Sequence, residues 1–410
     1  MKVAVDCRKS FASVSSQFEE LFVFARPWMR KRTWRLAVVV LLTCAVFVTK
    51  TVDRIMCVAA HWDSRGLSTA NSTFPGQFTY DEAAVDDEAG IFEHDPKIDV
   101  DRASIPRVRF TNPCAGSLYP TPAEGKLARA KVSRTEFSLF IYDHNSVKDI
   151  VSHSIRTSGS WELQETQKLM GLMPCAPTEC HNRVFVDIGA NLGWYSLAAV
   201  NMGFSVLSFE PFQSNLGLIC SSARNLDRNI ADRIKVFNVG LDFKPRHCEL
   251  FQQKTVNVGD THSVCDGASR TRFIEKGYSS LGWMNTTTLD IALEAGLFNY
   301  VDHIDVMKVD VEGFEYSVME GGNRFFLSSL APKYIFMELV SSMMGDAGGL
   351  SDRGESRLES VLMKLTNYGY ELDHVSNSAG NGVSLRTSPI REVRRYVDGK
   401  NVLFKRVMDQ

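Results

Sequence analysis

The sequence has no large excess of charge of either sign, no internal repeat and no C-x-x-C cysteine pair. Its 46 lysine and arginine residues nearly balance 48 aspartate and glutamate residues, which gives a formal net charge of −2. This balance argues against nucleic acid as a partner, because proteins that bind the phosphate backbone concentrate positive charge. None of the nine cysteines has C-x-x-C spacing, so no metal site is predicted. A length of 410 residues allows one large domain with appendages, or two domains.

The chain also lacks a hydrophobic run of the length usual for a membrane span. Residues 36–49 are uncharged, whereas a free-standing transmembrane helix usually takes about 18–20 apolar residues. The flanking Arg35 and Lys50 can lengthen this run by snorkelling. Basic residues outnumber acidic ones in 1–35, which predicts that this side stays cytoplasmic. We interpret residues 36–50 as the signal anchor of a single-pass type II membrane protein; a cleaved signal peptide, a mitochondrial targeting segment and a buried helix are the alternatives.

The predicted organisation follows from this anchor. A stretch of low hydrophobicity and mostly acidic charge follows it, and such a composition disfavours a packed core. The predicted segments are a cytoplasmic tail at 1–35, the anchor at 36–50, an acidic and largely disordered stalk at 51–130, and a folded domain at 131–410. The folded domain is expected to face the lumen of the Golgi or endoplasmic reticulum.

The N-glycosylation sequons and the cysteines are compatible with a folded domain that faces the lumen. Sequons for N-glycosylation begin at Asn71 and Asn285, and both are compatible with a lumen. Cys175 and Cys180 flank a proline-containing loop and are predicted to pair if the compartment is oxidising. Seven cysteines follow the anchor, so at least one would stay free or pair between molecules. Fully reduced cysteines are the alternative.

From Val184 onward, short β-rich runs alternate with helix-compatible segments. This pattern indicates an α/β fold, in which a doubly wound, mostly parallel sheet carries helices on both faces. The seven predicted strands, with a reversed edge strand, are Val184–Val186, Ser205–Phe209, Ile234–Asn238, Asp305–Val309, Tyr334–Glu338, Tyr370–Asp373 and Val402–Lys405. Before them, a strand is predicted at 136–142 and helices at 147–155 and 161–170.

A polar stretch at 242–284 separates the third and fourth of these strands. It is predicted to be a long loop, and loops of this length are usually lids or insertions. It contains His247, Cys248, His262 and Cys265, but their spacing is not that of a zinc site.

A turn with the pattern D-x-G-x-N-x-G follows the first predicted strand. Gly189 and Gly193 allow left-handed backbone angles and the close approach of a ligand, and the start of the next helix directs amide groups into the same space. Glu210 ends the second strand, 23 positions after Asp187, where an acid can bind a ribose diol. The dinucleotide fingerprint G-x-G-x-x-G is absent, which disfavours a nicotinamide enzyme. With Asn191, these acids suit the ammonium and ribose of S-adenosylmethionine.

A second acidic stretch follows the fourth predicted strand. Asp310 would end the strand beside the one that ends in Asp187, so both carboxylates would border one crevice. A hydroxyl substrate needs a general base, and Asp310, Glu312 or Glu338 could serve. Capping of a helix N-terminus is the alternative role for Glu312 and Glu315. A divalent metal held by these acids is a further alternative.

These motifs resemble the FkbM-type class I methyltransferases, which depend on S-adenosylmethionine. The segments that carry the resemblance are DIGANLGWYSL (187–197), SFEPFQSN (208–215), TTLD (287–290), DVMKVDVEGFEYSVMEGG (305–322) and IFMEL (335–339), with weaker likeness at SGSWE (158–162) and NVLFKR (401–406). The resemblance spans about residues 137–406. It implies a Rossmann-like sheet and methylation of a hydroxyl on a sugar, polyketide or related small molecule.

The resemblance also assigns roles to particular residues. The predicted cofactor-binding residues are Asp187, Gly189, Ala190, Asn191, Gly193 and Glu210, and the predicted catalytic residues are Asp310, Glu312 and Glu338. The anchor and the stalk lie outside the family pattern and suggest a glycan or lipid-linked acceptor of the secretory pathway. The alternative is a non-catalytic binding or scaffold protein with the same fold. The stretch 242–284 is larger than the family pattern, so the acceptor does not follow from the family.

Overall fold

The computed structural model describes residue 114 and the ranges 120–143, 148–252, 261–265, 267–344, 353–376 and 383–407. All of them lie within one compact unit, Asp95–Gln410. The predicted tail, the predicted anchor and the sequon at Asn71 fall outside the described residues. Within the described ranges, no helix combines the length and the apolar character that a membrane crossing requires.

Strands and helices alternate along most of the described chain. In chain order the strands are β1 (Gly125–Val132), β2 (Thr135–Tyr142), β3 (Val184–Ile188), β4 (Ser205–Phe209), β5 (Ile234–Phe237), β6 (Gly240–Leu241), β7 (His247–Gln252), β8 (Thr261–Val264), β9 (Ser279–Thr287), β10 (Val306–Val309), β11 (Tyr334–Leu339), β12 (Tyr370–Val375) and β13 (Lys400–Arg406). The helices are α1 (Ile150–Ser158), α2 (Leu163–Gly171), α3 (Trp194–Asn201), α4 (Gln213–Arg224), α5 (Arg228–Ala231), α6 (Gly267–Glu275), α7 (Leu289–Glu294), α8 (Glu315–Glu320), α9 (Asn323–Leu327), α10 (Gly354–Asn367) and α11 (Ile390–Val397).

The central sheet has seven strands in the order β12-β13-β11-β10-β3-β4-β5. Its neighbours pair in parallel except around β13, which is antiparallel to both β11 and β12. The seven predicted strands and the mostly parallel α/β sheet are confirmed. The predicted position of the reversed strand is wrong, because it lies one place in from the edge. Val402, Leu403 and Phe404 of β13 are all fully buried, as an inner strand requires, whereas β12 exposes Asp373 and His374.

The two faces of this sheet pack against different helices. Phe185 of β3 and Val306 of β10 point to the face covered by α1 to α4 and by β1 and β2. Val186 and Met307, the next residues along, point to the face covered by α7 to α11. This alternation follows from the two-residue period of a strand. It decides which polar residues meet at the strand ends.

Helix α1 begins where its sequence supplies a cap. The Asp149 carboxylate accepts a hydrogen bond from the backbone amide of Ser152 at 2.6 Å, as expected of an N-cap. Gly159 ends the helix with φ 74°. Helices α1 and α2 thus confirm the predicted pair, with α1 shifted about one turn toward the C-terminus relative to the predicted range 147–155.

Part of the segment 51–130, for which a disordered stalk is predicted, forms a strand. Strand β1 starts at Gly125 and forms an antiparallel hairpin with β2. A disulfide between Cys114 and Cys220 joins the preceding segment to α4. The sequence of β1, GKLARAKV, alternates charged residues with small ones, so its apolar face was too weak a signal to predict a strand.

The stretch 242–284 is a folded insertion, so the prediction of a long loop is wrong. Its strands form a second sheet with the order β6-β9-β7-β8, and α6 follows β8. A disulfide joins Cys248 of β7 to Cys265, the residue after β8. We call β6 to β9 together with α6 the insertion lobe. Another disulfide joins Cys175 to Cys180, as predicted.

Candidate active site

The loop between β3 and α3 is held against both neighbouring strands. The backbone amides of Gly189 and Ala190 donate to the carbonyl oxygen of Phe209, at 3.0 and 3.1 Å, which fixes the loop to the end of β4. Gly189 has φ 78°, and a Cβ atom built on it would overlap the carbonyl oxygen of Asp310 beside β10. Only glycine satisfies both requirements, since it has neither a Cβ atom nor a strong preference for negative φ.

The second half of the loop also has left-handed geometry. Asn191 has φ 54° and Gly193 has φ 88°. A Cβ atom at Gly193 would lie 2.9 Å from the side chain of Ile219, so α3 and α4 approach each other closely there. Asparagine is the residue other than glycine that tolerates this region best. The two glycines and the asparagine of the D-x-G-x-N-x-G pattern therefore stand at the positions where the turn has left-handed backbone angles.

Glu210 ties the loop to the end of the second strand. Its Oε2 atom accepts from the backbone amide of Asn191 at 2.7 Å, and its Oε1 atom accepts from the amide of Phe212 at 2.8 Å. Burial raises the pKa of the Glu210 carboxyl to about 7, although these two amides lower it. The side chain of Asn215 also lowers the pKa of Glu210. Glu210 thus holds the turn in place, and a carboxylate with two oxygens retains acceptor capacity for a ligand hydroxyl.

An open cleft lies beyond the carboxyl ends of β3, β4 and β10. Residues from the central sheet and from the insertion lobe line it, among them Gly189, Asn191, Glu210, Asp310, Glu312, Leu250, Thr261, Ser263 and Met284. The Oδ1 atom of Asn191 is buried and has no hydrogen-bond partner in the described part of the chain. A buried acceptor without a donor is costly, so a ligand that brings a donor, such as an ammonium group, fits this position.

The other three predicted cofactor residues are not among those that line the cleft. Ala190 and Gly193 belong to the turn between β3 and α3. The Asp187 carboxylate is fully buried, and its Oδ2 atom accepts from both the amide and the hydroxyl of Ser196, at 3.1 and 2.6 Å. Asp187 thereby stabilises the N-terminal turn of α3. Burial raises its pKa, and the nearby Lys308 ammonium lowers it.

Lys308 connects the two motifs. It lies on the same face of the sheet as Asp187, which is its register partner in β3, and its side chain is buried. Its Nζ atom is 3.0 Å from Asp310, 4.0 Å from Asp187 and 3.5 Å from the carbonyl oxygen of Gly189. Burial lowers the pKa of Lys308, but the carboxylates of Asp310 and Asp187 raise it more, so it stays above its ordinary value. Lys308 is therefore a fixed cation at the centre of the site.

Two further carboxyl groups stand near Lys308. Glu338 lies near the end of β11, and burial and then the charges of Asp310 and Glu162 raise its pKa to about 7. The hydroxyl of Tyr195 donates to Glu162 at 2.6 Å, and burial raises the pKa of Glu162 as well. We call Asp310, Glu338 and Glu162 the carboxylate cluster. Asp310 belongs to both the cluster and the cleft.

Sequence reasoning did not propose Lys308 or Glu162 as site residues. Side chains alternate between the two faces of a strand, so Lys308 and Asp310, two positions apart, are expected on the same face. The sequence therefore contained a signal that Lys308 lies near the site. For Glu162 the only signal was the weak family likeness of SGSWE. It has the unusual φ of 38° at the start of α2, which only the structure reveals.

The two glutamates after Asp310 have different positions. Glu312, with φ 51°, lines the cleft. The Oε1 atom of Glu315 accepts from the backbone amides of Val311 and Gly313, at 3.1 and 3.3 Å. Glu315 therefore takes the capping role that was the alternative for both residues. Burial raises its pKa to about 7.

The cysteines of the insertion lobe do not provide a metal site. Ligand atoms of Asp242, Cys248 and Cys265 lie within 4.8 Å of one another. The two sulfur atoms form a disulfide, however, and a thiolate is what binds a metal. The Asp242 carboxylate is 2.6 Å from Arg246 and is neutralised by it.

A seven-stranded α/β sheet with this glycine turn, and with acids at the ends of the neighbouring strands, defines a class I methyltransferase. Residues 187–372 match the model of the methyltransferase FkbM domain family. The chain therefore contains an FkbM methyltransferase domain, as its motifs predicted. The matched range begins at Asp187 and includes the glycine loop, the insertion lobe and the acids of β10 and β11. The family match confirms S-adenosylmethionine as the cofactor.

Several solved methyltransferase structures are similar to this chain at low identity and low TM-score. Precorrin-6y C5,15-methyltransferase from Geobacter metallireducens GS-15 is 12% identical, with 65% of this chain and 97% of that chain covered and a TM-score of 0.30. A methyltransferase FkbM from Methylobacillus flagellatus KT is 16% identical, with 63% of this chain but only 61% of that chain covered and a TM-score of 0.30. The glycopeptide N-methyltransferase MtfA in complex with sinefungin is 8% identical, with 62% and 91% covered and a TM-score of 0.30. These values are too low to transfer an acceptor.

The comparison with curated proteins gives no match. The acceptor must therefore be inferred from the residues of the site.

Proposed function

We propose that this protein is an S-adenosylmethionine-dependent O-methyltransferase that acts on a hydroxyl of a glycan or other small-molecule acceptor in the lumen of the secretory pathway. One observation carries the proposal: Asp310 lines the cofactor cleft and also pairs with the buried Lys308 at 3.0 Å, beside Glu338, whose pKa its charge raises. A methyl donor bound in the cleft and a proton acceptor in the carboxylate cluster would then both lie next to Asp310.

Three residues of the cleft would hold the cofactor. The unpaired Oδ1 atom of Asn191 suits the ammonium group, the carboxylate of Glu210 suits the ribose hydroxyls, and Gly189 leaves space for close approach. When bound, S-adenosylmethionine supplies a methyl group that a positively charged sulfur activates. An acidic lining favours such a cation, because opposite charges attract strongly where water is partly excluded.

The carboxylate cluster favours a hydroxyl acceptor. A hydroxyl must lose its proton as its oxygen is methylated, and a general base works best when its pKa is near the working pH. Glu338 meets this condition, since burial raises its pKa to about 7. The Lys308 ammonium pairs with the neighbouring Asp310 and places a positive charge among these carboxyl groups. A protein that only bound the cofactor would have no need of this buried arrangement, so it argues against the scaffold alternative.

Direct binding separates the proposal from its alternatives. We expect the full-length protein, purified in detergent, to bind S-adenosylhomocysteine in calorimetry and to show no heat with NAD. We also expect it to transfer labelled methyl from S-adenosylmethionine to hydroxyl-bearing acceptors in a membrane extract. Binding of S-adenosylhomocysteine without any transfer would favour the scaffold alternative, and binding of NAD alone would reject both.

The cysteines support the lumenal part of the proposal. The described residues contain three disulfides, joining Cys114 to Cys220, Cys175 to Cys180 and Cys248 to Cys265. Disulfides persist in secretory compartments and are rare in the cytosol. The hydrophobic run at 36–50 and its basic flank would supply the membrane anchor.

Cysteine labelling tests this compartment. If the three disulfides form in cells, alkylation of the denatured but unreduced protein modifies at most 9 − 6 = 3 cysteines, and reduction makes all nine reactive. Mass spectrometry of protein trapped with acid before lysis reads this number. Labelling of the six paired cysteines without reduction would contradict a lumenal location.

A further inference from the structure

The insertion lobe forms the wall of the cleft on the side of β4 and β5. The carboxylate cluster lies near the ends of β10 and β11, and β5 is four strand spacings from β11 in the central sheet. At about 4.8 Å a spacing, β5 and β11 are roughly 19 Å apart. Phe212, which follows β4, packs against Cys248, Leu250 and Met284 of the lobe. The lobe therefore faces the end of the cleft away from methyl transfer.

The hydroxyl of Thr261 is unpaired in this wall. Thr261 lines the cleft, and its Oγ1 atom is buried with no hydrogen-bond partner among the described residues. Leaving a buried hydroxyl unpaired costs about 1–3 kcal/mol. Asn191 is the other cleft residue with an unpaired buried atom among the described residues, and the proposed function assigns it to the ammonium group of the cofactor. Thr261 therefore marks a second polar contact for the same ligand.

The surroundings of Thr261 suit a flat heteroaromatic group with a polar edge. Phe209, Phe212, Leu250 and Met284 supply apolar surface to this part of the cleft. A threonine hydroxyl can donate to a ring nitrogen or accept from an exocyclic amine. Among the parts of S-adenosylmethionine, only the adenine base combines an apolar face with such an edge.

The lobe holds Thr261 in a fixed position. Thr261 pairs with Gln252 of β7, and β8 is the edge strand of the lobe, so β7 is its one neighbour in that sheet. The disulfide from Cys248 to Cys265 closes the same two strands, and Cys248 is fully buried in the apolar cluster beneath Phe212. A covalent link across an edge pair limits the motion of β8 and of the hydroxyl that it carries.

We propose that Thr261, carried by this disulfide-closed hairpin, is a cofactor-binding residue that hydrogen-bonds the adenosine moiety of S-adenosylmethionine. The inference rests on the proposed function, because it assumes that this cofactor occupies the cleft. It adds a residue of the insertion lobe to the cofactor site, beyond those that the glycine loop and Glu210 supply.

The test compares Thr261→Val with Thr287→Val in the full-length protein. Thr287 is a matched control, since its Oγ1 atom is also buried without a described partner but does not line the cleft. Thr287 belongs to the sequon at Asn285, so both variants and the wild type are deglycosylated before measurement. Calorimetry then gives the affinity for S-adenosylhomocysteine and, by displacement, for free adenosine.

We expect Thr261→Val to weaken both ligands by about tenfold, the effect of one lost hydrogen bond, and Thr287→Val to change neither. Equal losses in the two variants would make the effect structural and overturn the proposal. Unchanged affinity in Thr261→Val, with a raised KM for the acceptor, would assign Thr261 to the acceptor instead. Failure of the wild type to bind S-adenosylhomocysteine would defeat the proposed function itself, whatever the variants do.

Discussion

Replacing Gly189 by alanine is expected to abolish measurable binding of S-adenosylhomocysteine, with a loss of affinity of about 100-fold or more. The added Cβ atom would overlap the carbonyl oxygen of Asp310, and φ 78° disfavours alanine independently. The loop must then move, and it carries Asn191 and accepts a contact from Lys308 through the Gly189 carbonyl. Calorimetry of the purified variant measures the loss.

Gly159→Ala is the matched control for this prediction. Gly159 ends α1 with φ 74°, close to the angle of Gly189, but a Cβ atom there would meet nothing within 4 Å. The backbone cost, about 1 kcal/mol of stability, is therefore common to both variants, and the steric overlap belongs to Gly189 alone. Equal affinities of Gly189→Ala and Gly159→Ala for the ligand would mean that the loop does not form the cofactor site.

Glu338→Gln is expected to lower kcat by about 10²- to 10⁴-fold, the usual contribution of a general base. Glutamine keeps the size of the side chain, but it cannot accept a proton. Glu338 is not among the residues that line the cofactor cleft, so the affinity for S-adenosylhomocysteine should change by less than about twofold. Single-turnover methyl transfer and calorimetry on the same preparation separate the two effects.

The pH dependence of kcat/KM is a second test of Glu338 as the general base. A base must be deprotonated to act, and the pKa of Glu338 is raised to about 7 by burial and by Asp310 and Glu162. We therefore expect kcat/KM of the wild type to rise with pH up to about 7 and then to level off, and Glu338→Gln to lose this rise.

Glu315→Gln is the control for the pH profile. The pKa of Glu315 is also raised to about 7 by burial, but its side chain caps the turn after β10 through an oxygen that glutamine retains. Its substitution should leave both kcat and the profile unchanged. If Glu338→Gln behaves like Glu315→Gln, Glu338 is not the base.

Most strands of the central sheet were predictable because they are short apolar runs bounded by turn residues. All five residues of β3 are buried, and such runs stand out in any sequence. Strand β1 was missed because its more buried face consists of the small residues Ala128 and Ala130 with Val132, and Lys126 lies on the same face. The insertion lobe was missed for a related reason: its strands are partly exposed, and a disulfide adds to the stability that their composition does not provide.

The site was predictable where one motif defines one turn. Gly189, Asn191 and Glu210 line the cleft as expected, because the turn and the end of the second strand are local features. The direction of a side chain behind the turn is decided by packing that sequence spacing does not specify. The Asp187 carboxylate accepts hydrogen bonds from the start of α3, and Glu162 lies at the start of α2, more than 20 residues earlier in the chain.

The position of β13 has a consequence for how the molecule is assembled. Residues 400–406 lie between β11 and β12, and Asn401 is the register partner of Glu338. Until this segment has emerged from the ribosome, β12 has no neighbouring strand and β11 is unflanked on one side. The strands around Glu338 are therefore among the last parts of the sheet to pair, and the proposed acceptor side of the site forms after the cofactor cleft.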